Sequence, residues 1–139
     1  MPFTVRKIRV GTSAETDVID LTPHVVRFLD EIGISNGSLT LFIPGSTAAL
    51  TTIEYERGAI HDLIEAVERM APEDLLYEHN ERWGDGNGYS HVRSALIGPS
   101  LHIPIVDGKL TLGTWQQVVL LDFDNRPRER QIIAQFHGE

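Results

Sequence analysis

The 139 residues include no cysteine and carry a formal net charge of −8, so one self-sufficient core is expected, with no disulfide framework and no thiolate chemistry. Such an acidic balance argues against broad binding to nucleic-acid phosphates, and no apolar run reaches membrane-spanning length. The opening MPFTVRKIRV lacks the apolar segment of a signal peptide, which points to a cytoplasmic protein with residues 1–139 as one domain.

Residues 3–10 alternate Phe3, Val5, Ile8 and Val10 with Arg6, Lys7 and Arg9, a strand whose register breaks at Lys7. A turn at Gly11-Thr12-Ser13 precedes a second strand over 16–21. Thr22 then suits an N-cap and Pro23 a first helical position, where a missing N–H costs nothing. Val25, Phe28, Leu29 and Ile32 form one apolar stripe, and Gly33 stops the helix. Residues 38–43 (SLTLFI) read as a strand running into Pro44-Gly45. Two readings of the segment 45–54 stand together: hydroxyl residues Ser46 and Thr47 presented to an anion, and a Thr-rich strand. A second amphipathic helix carries Ile60, Leu63, Ile64, Val67 and Met70 and closes at Pro72.

The stretch 77–91, YEHNERWGDGNGYSH, has the densest chemistry. It holds His79, His91, Glu81, Asp85, Asn80 and Asn87, with Gly84, Gly86 and Gly88 alternating through its centre. Alternating glycine weakens both helix and strand, so an ordered loop with converging polar side chains is expected. Imidazole, carboxylate and amide together suit a metal ion, a proton transfer or a polar small molecule. The same residues also suit turn dipeptides on a surface loop pinned by Trp83.

Residues 91–97 read as one or two helical turns, and the remainder as β-structure. Strands are expected over 101–106, 110–112, 115–123 and 130–136, with an Asp107-Gly108 hairpin turn. Val118 to Leu121 is apolar on both faces and therefore central. Arg126, Arg128 and Arg130 are read as a solvated hairpin tip in preference to a phosphate contact.

Several blocks resemble the YjbQ family, whose members are often described as secondary thiamine-phosphate synthases. They are Pro44-Gly45-Ser46-Thr47-Ala48-Ala49, Tyr77-Glu78-His79-Asn80, Asp85-Gly86-Asn87, Ser90-His91-Val92-Arg93, Gly98-Pro99-Ser100-Leu101 and, most specifically, Gly113-Thr114-Trp115-Gln116. The resemblance runs from about residue 38 to the end. It implies a compact α+β fold, largely antiparallel sheets packed with two main helices, assembled as a homotrimer. It also implies a histidine-lined pocket for a divalent metal such as zinc. Gly45, Gly84 and Tyr89 stand where many relatives have histidine, so His79 and His91 are what remains of that set.

From these residues the expected catalytic and metal-binding group is His79, His91 and Asp85, with Glu81 and Glu54 as alternative third ligands for zinc. Magnesium would favour the oxygens of Asp85 and Glu54. The expected contacts to a phosphorylated small molecule are Ser46, Thr47, Glu54, Asn80, Asn87, Arg93 and Gln116, with Arg93 meeting phosphate oxygens. Trp115 is expected to be buried and structural, its truncation costing on the order of 3–5 kcal/mol. Three functions follow: a transferase on phosphorylated thiamine precursors, a metal-dependent hydrolase, and a non-catalytic small-ligand or metal-binding oligomer.

Overall fold

The computed structural model describes residues 3–14 and 16–139. In chain order the elements are β1 (Phe3–Gly11), β2 (Asp17–Asp20), α1 (Thr22–Ile32), β3 (Gly37–Phe42), β4 (Ala48–Ile53), α2 (Arg57–Met70), α3 (Glu78–Trp83), α4 (Gly88–Ile97), β5 (Ser100–Val106), β6 (Lys109–Leu110), β7 (Gln117–Asp122) and β8 (Glu129–Gly138). Two antiparallel sheets result, ordered β1-β8-β3-β5-β6 and β2-β7-β4. This is the expected α+β architecture.

Strand periodicity decides how the layers stack. Ile8, Leu39, Leu41, Ile103, Ile105, Ile132, Ala134 and Phe136 face inward from the larger sheet and meet Ala48, Leu50, Val118 and Leu120 of the smaller one. Helix α1 joins this core through Val25 and Leu29, with Phe28 and Ile32 packed at its margin. On its other side the smaller sheet packs Ala49, Val119, Leu121 and Phe123 against Val67 and Leu63 of α2 and Ile97 of α4. Strand β7 is therefore central and covered on both faces, as its unbroken apolar run predicts.

The expected irregularity in β1 is absent. Its pairing with β8 is continuous from Phe3↔His137 to Gly11↔Glu129. The apolar pattern breaks because Phe3 and Val5 point to the open outer face, while Ile8 points into the core. Helix α1 starts one residue earlier than expected. Leu21 is its N-cap, and the Thr22 hydroxyl instead accepts the Val118 N–H at 2.8 Å, while Asp20 Oδ1 accepts the Thr22 N–H at 2.9 Å. A neighbouring strand with an unmet donor thus takes over the side chain that the local sequence would use as a cap.

Trp115 is the clearest correction. It lies outside β7, in the turn before it, and is 72% exposed. Gln116 folds back to close that turn, accepting the Gly113 N–H at 3.0 Å. Its amide donates to Thr52 Oγ1, also at 3.0 Å.

Candidate functional site

The stretch 77–91 is two short helices rather than a loop. Helix α3 ends at Gly84, whose φ of 65° is the left-handed conformation of a C-cap, and whose N–H returns to Asn80 O at 2.8 Å. Asp85 and Gly86 turn the chain into α4. Gly88 is there for contact: a methyl group on it would stand 2.6 Å from Tyr77 Cβ and 3.0 Å from Asn80 Oδ1. Its N–H donates to Asn80 Oδ1 at 2.8 Å, which fastens the two helices together.

This junction brings the His79 and His91 rings to a centroid distance of 4.4 Å, tilted by 38°. Asp85 belongs to the same group, with Oδ1 3.5 Å from His79 Nδ1. That separation is not a hydrogen bond. His79 Nδ1 is the one fully buried side-chain nitrogen or oxygen without a partner among the described residues. His91 is held below the ordinary imidazole pKa, first by burial and then by the neighbouring His79, with Asp85 and Asp124 opposing. Two imidazoles and a carboxylate are the right kind of donor for zinc. As they stand, however, no group of three or more His, Asp or Glu among the described residues is gathered closely enough to hold a metal ion.

Beside His91 lies a cleft of about 280 Å³, lined also by Gly45, Ser46, Ser94, Ala95 and Pro99. Behind the Gly45-Ser46 turn is a buried charged network. Arg130 Nε donates to Asp122 Oδ2 at 2.7 Å and its Nη2 to Thr47 Oγ1, also at 2.7 Å. The Thr47 hydroxyl donates in turn to Asp124 Oδ2 at 2.9 Å, and Arg128 Nε reaches the same oxygen at 3.0 Å. Burial works to raise the Asp124 pKa, but the hydrogen bonds from Thr47 and Arg128 outweigh it and hold the carboxyl below its ordinary value. The arginines read as a solvated tip are thus corrected for Arg128 and Arg130, whose carboxylate partners, Asp124 and Asp122, lie four and eight residues back across the same turn.

The other expected contacts divide. Ser46 stands at the cleft, whereas Thr47 is buried and committed to Asp124 and Arg130. Asn80 holds the α3–α4 junction. Asn87 is buried, and its Oδ1 accepts from the Ser90 hydroxyl and from Asn125 N–H. Arg93 is not available to a phosphate: it is buried, donates to Ala71 O at 2.9 Å and pairs with Glu68. Its guanidinium also lies over the Tyr89 ring, 4.7 Å from the centroid. Glu54 follows the far end of β4, roughly 20 Å from Ala48 at ~3.3 Å per residue. There it shares a different cleft with Tyr55, Glu56 and Trp115. Gln116 lines further clefts that do not include His91.

The fold and this site define a small antiparallel α+β protein with paired imidazoles at one end of its sheets. A family model described as UPF0047 protein YjbQ-like matches residues 6–139, and the chain belongs to that family. The UPF0047 protein of Archaeoglobus fulgidus is 34% identical over 128 residues, covering 92% of this chain and 97% of that protein. The Bacillus subtilis UPF0047 protein YugU is 32% identical over 135 residues, covering 96% and 99%. Among solved structures, a hypothetical protein from Aeropyrum pernix K1 superposes with a TM-score of 0.91 at 32% identity, covering 98% of this chain and 99% of that one. A YbjQ-like protein of unknown function from Sulfolobus solfataricus P2 gives 0.88 at 28% identity, covering 99% and 100%.

Proposed function

We propose that the His79–His91–Asp85 pocket acts on a phosphorylated small molecule, with thiamine-phosphate synthase-like transfer as the leading reaction. The observation that carries this reading is the pairing of two imidazoles at 4.4 Å beside a carboxylate, with one of them, His91, lining a cleft. In that reaction the thiazole nitrogen bonds to the pyrimidine methylene carbon as the C–O bond breaks. Diphosphate leaves with the bonding electrons, and its charge must be met by donors. A His91 held below the ordinary imidazole pKa offers a ring N–H for that task, with the Asp85 carboxylate adding negative charge beside His79. Pyrophosphate release from the two thiamine precursors should be measurable with the wild-type protein and lost in His79→Ala. No release at saturating concentrations of both would overturn the reading.

A second reading, with a divalent metal and hydrolysis, is favoured by one feature, the unpartnered His79 Nδ1 near Asp85. No step above depends on a metal. Calorimetric titration with Zn²⁺ or Mg²⁺ checks it, with binding expected to weaken in Asp85→Asn.

The proposal extends to a cytoplasmic homotrimer with the pocket near a subunit boundary. Exposed Phe3, Val5, Phe42 and Val106 on the open sheet face support an assembly, as do Trp83 and Trp115 elsewhere. Absence of cysteine suits a reducing compartment. No helix among the described residues is long and apolar enough to cross a membrane.

A further inference from the structure

Arg130 is nine-tenths buried, and two of its three nitrogens are occupied: Nε by Asp122 and Nη2 by Thr47. Its Nη1 donates to nothing among the described residues. That nitrogen is not sealed from solvent, because His79 Nδ1 alone there is both fully buried and unpartnered. It emerges at Gly45. A methyl group on Gly45 would stand 3.1 Å from Nη1, with no other atom outside its immediate chain neighbours within 4 Å. The φ of 121° at this residue is also one that side chains rarely adopt. The glycine therefore leaves the guanidinium edge uncovered, directly behind Gly45, which lines the cleft together with His91 and Ser46.

We infer that Gly45, Ser46, His91 and the Nη1 edge of Arg130 form an oxyanion subsite for the phosphate group of the ligand. The inference rests on the phosphorylated ligand proposed above and assigns the group that recognises its phosphate. The exposed Ser46 hydroxyl, which has no partner among the described residues, and the His91 ring supply donors from other directions. A guanidinium holds either a carboxylate or a phosphate best through two parallel bonds. The Nε–Nη2 edge is already committed to Asp122 and Thr47, so Nη1 meets an anion as a single-point donor. Separate donors converging from several sides suit a tetrahedral anion better than a planar one. Asp122, Asp124, Arg128 and Arg130 sum to no net charge, so the subsite works through directed donors and not through a positive field. Binding is accordingly weak for the free anion.

The test is titration of the full chain with inorganic phosphate, and separately with acetate at matched ionic strength, followed by amide NMR. Phosphate is expected to shift Gly45 and Ser46 saturably, and acetate to bind more weakly. Ser46→Asp, an exposed substitution that places a like charge in the cleft, is expected to weaken phosphate about tenfold or more. Gly45→Ala, which covers Nη1, should weaken it as well. No saturable shift at Gly45 and Ser46, or phosphate affinity unchanged in both variants, would overturn the subsite. Equal affinity for acetate would overturn its assignment to phosphate. His79→Ala separates the two proposals: turnover retained there refutes the catalytic reading, while phosphate shifts retained there uphold the subsite.

Discussion

His91 sits between neighbours of opposite influence. Burial and His79 disfavour its imidazolium, while Asp85 and Asp124 favour it. Its NMR titration midpoint is therefore expected below the ordinary 6.5, and His79→Ala should move it upward. The sign for stability follows from proton counting. Below 6.5 the unfolded chain binds a proton that the folded chain resists, so this group destabilises the fold as pH falls through that range. Asp124 acts further down: its folded pKa lies below the ordinary 3.8, so the stability it contributes is present above that value and lost as pH falls through the folded pKa. Urea midpoints from neutral to acid pH should show these two declines in that order.

The same scale governs the buried network. Arg130→Met would strand Asp122, which is buried and loses its 2.7 Å partner. Breaking a buried pair from one side costs about 3–5 kcal/mol, and chemical denaturation should show a loss of that size. Thr47→Val, which removes the hydroxyl between Asp124 and Arg130, should cost about 1–3 kcal/mol.

Among the elements, the α3–α4 junction is what makes a histidine pair out of residues twelve positions apart in sequence. Glycine to alanine inside a helix ordinarily stabilises by about 1 kcal/mol. At Gly88 the sign should reverse. The added methyl meets Tyr77 Cβ at 2.6 Å, a contact that only separation of the helices relieves. Overpacking of this kind costs about 1–3 kcal/mol, which a thermal melt of Gly88→Ala would register. The variant should also lose nuclear Overhauser contacts between the His79 and His91 rings.

For the whole molecule, the larger sheet has a covered face and an open one. Phe3, Val5, Phe42 and Val106 occupy the open face, and Trp115 projects from the turn that leads into the central strand of the smaller sheet. Trp115→Ala should therefore leave the stability of an isolated subunit within about 0.5 kcal/mol, in place of the loss expected for a buried indole. Its effect should fall on assembly. Light scattering coupled to gel filtration is expected to give a trimer for the wild-type protein, and a mass that falls on dilution for Trp115→Ala. A dilution-insensitive mass of one subunit for the wild type would refute the assembly.

Local patterns by themselves determined much of this protein. The α1 and α2 stripes, the Asp107-Gly108 turn and the two-sided apolar run of β7 all reflect short-range periodicity or turn chemistry, so each is legible in a few consecutive residues. His79, Asp85 and His91 were legible as neighbours because a stretch punctuated by glycines can turn back on itself within a few residues. What the residues do to one another across the fold was decided only in three dimensions. Thr22 gave up its cap to a strand N–H, Arg93 was taken by Glu68 and Ala71, and Arg130 was drawn in by Asp122 and Thr47. In each case the partner lies on a separate element, often distant in sequence. A buried donor or acceptor must be satisfied by whichever group the packing brings within about 3 Å, and local sequence does not specify that neighbour.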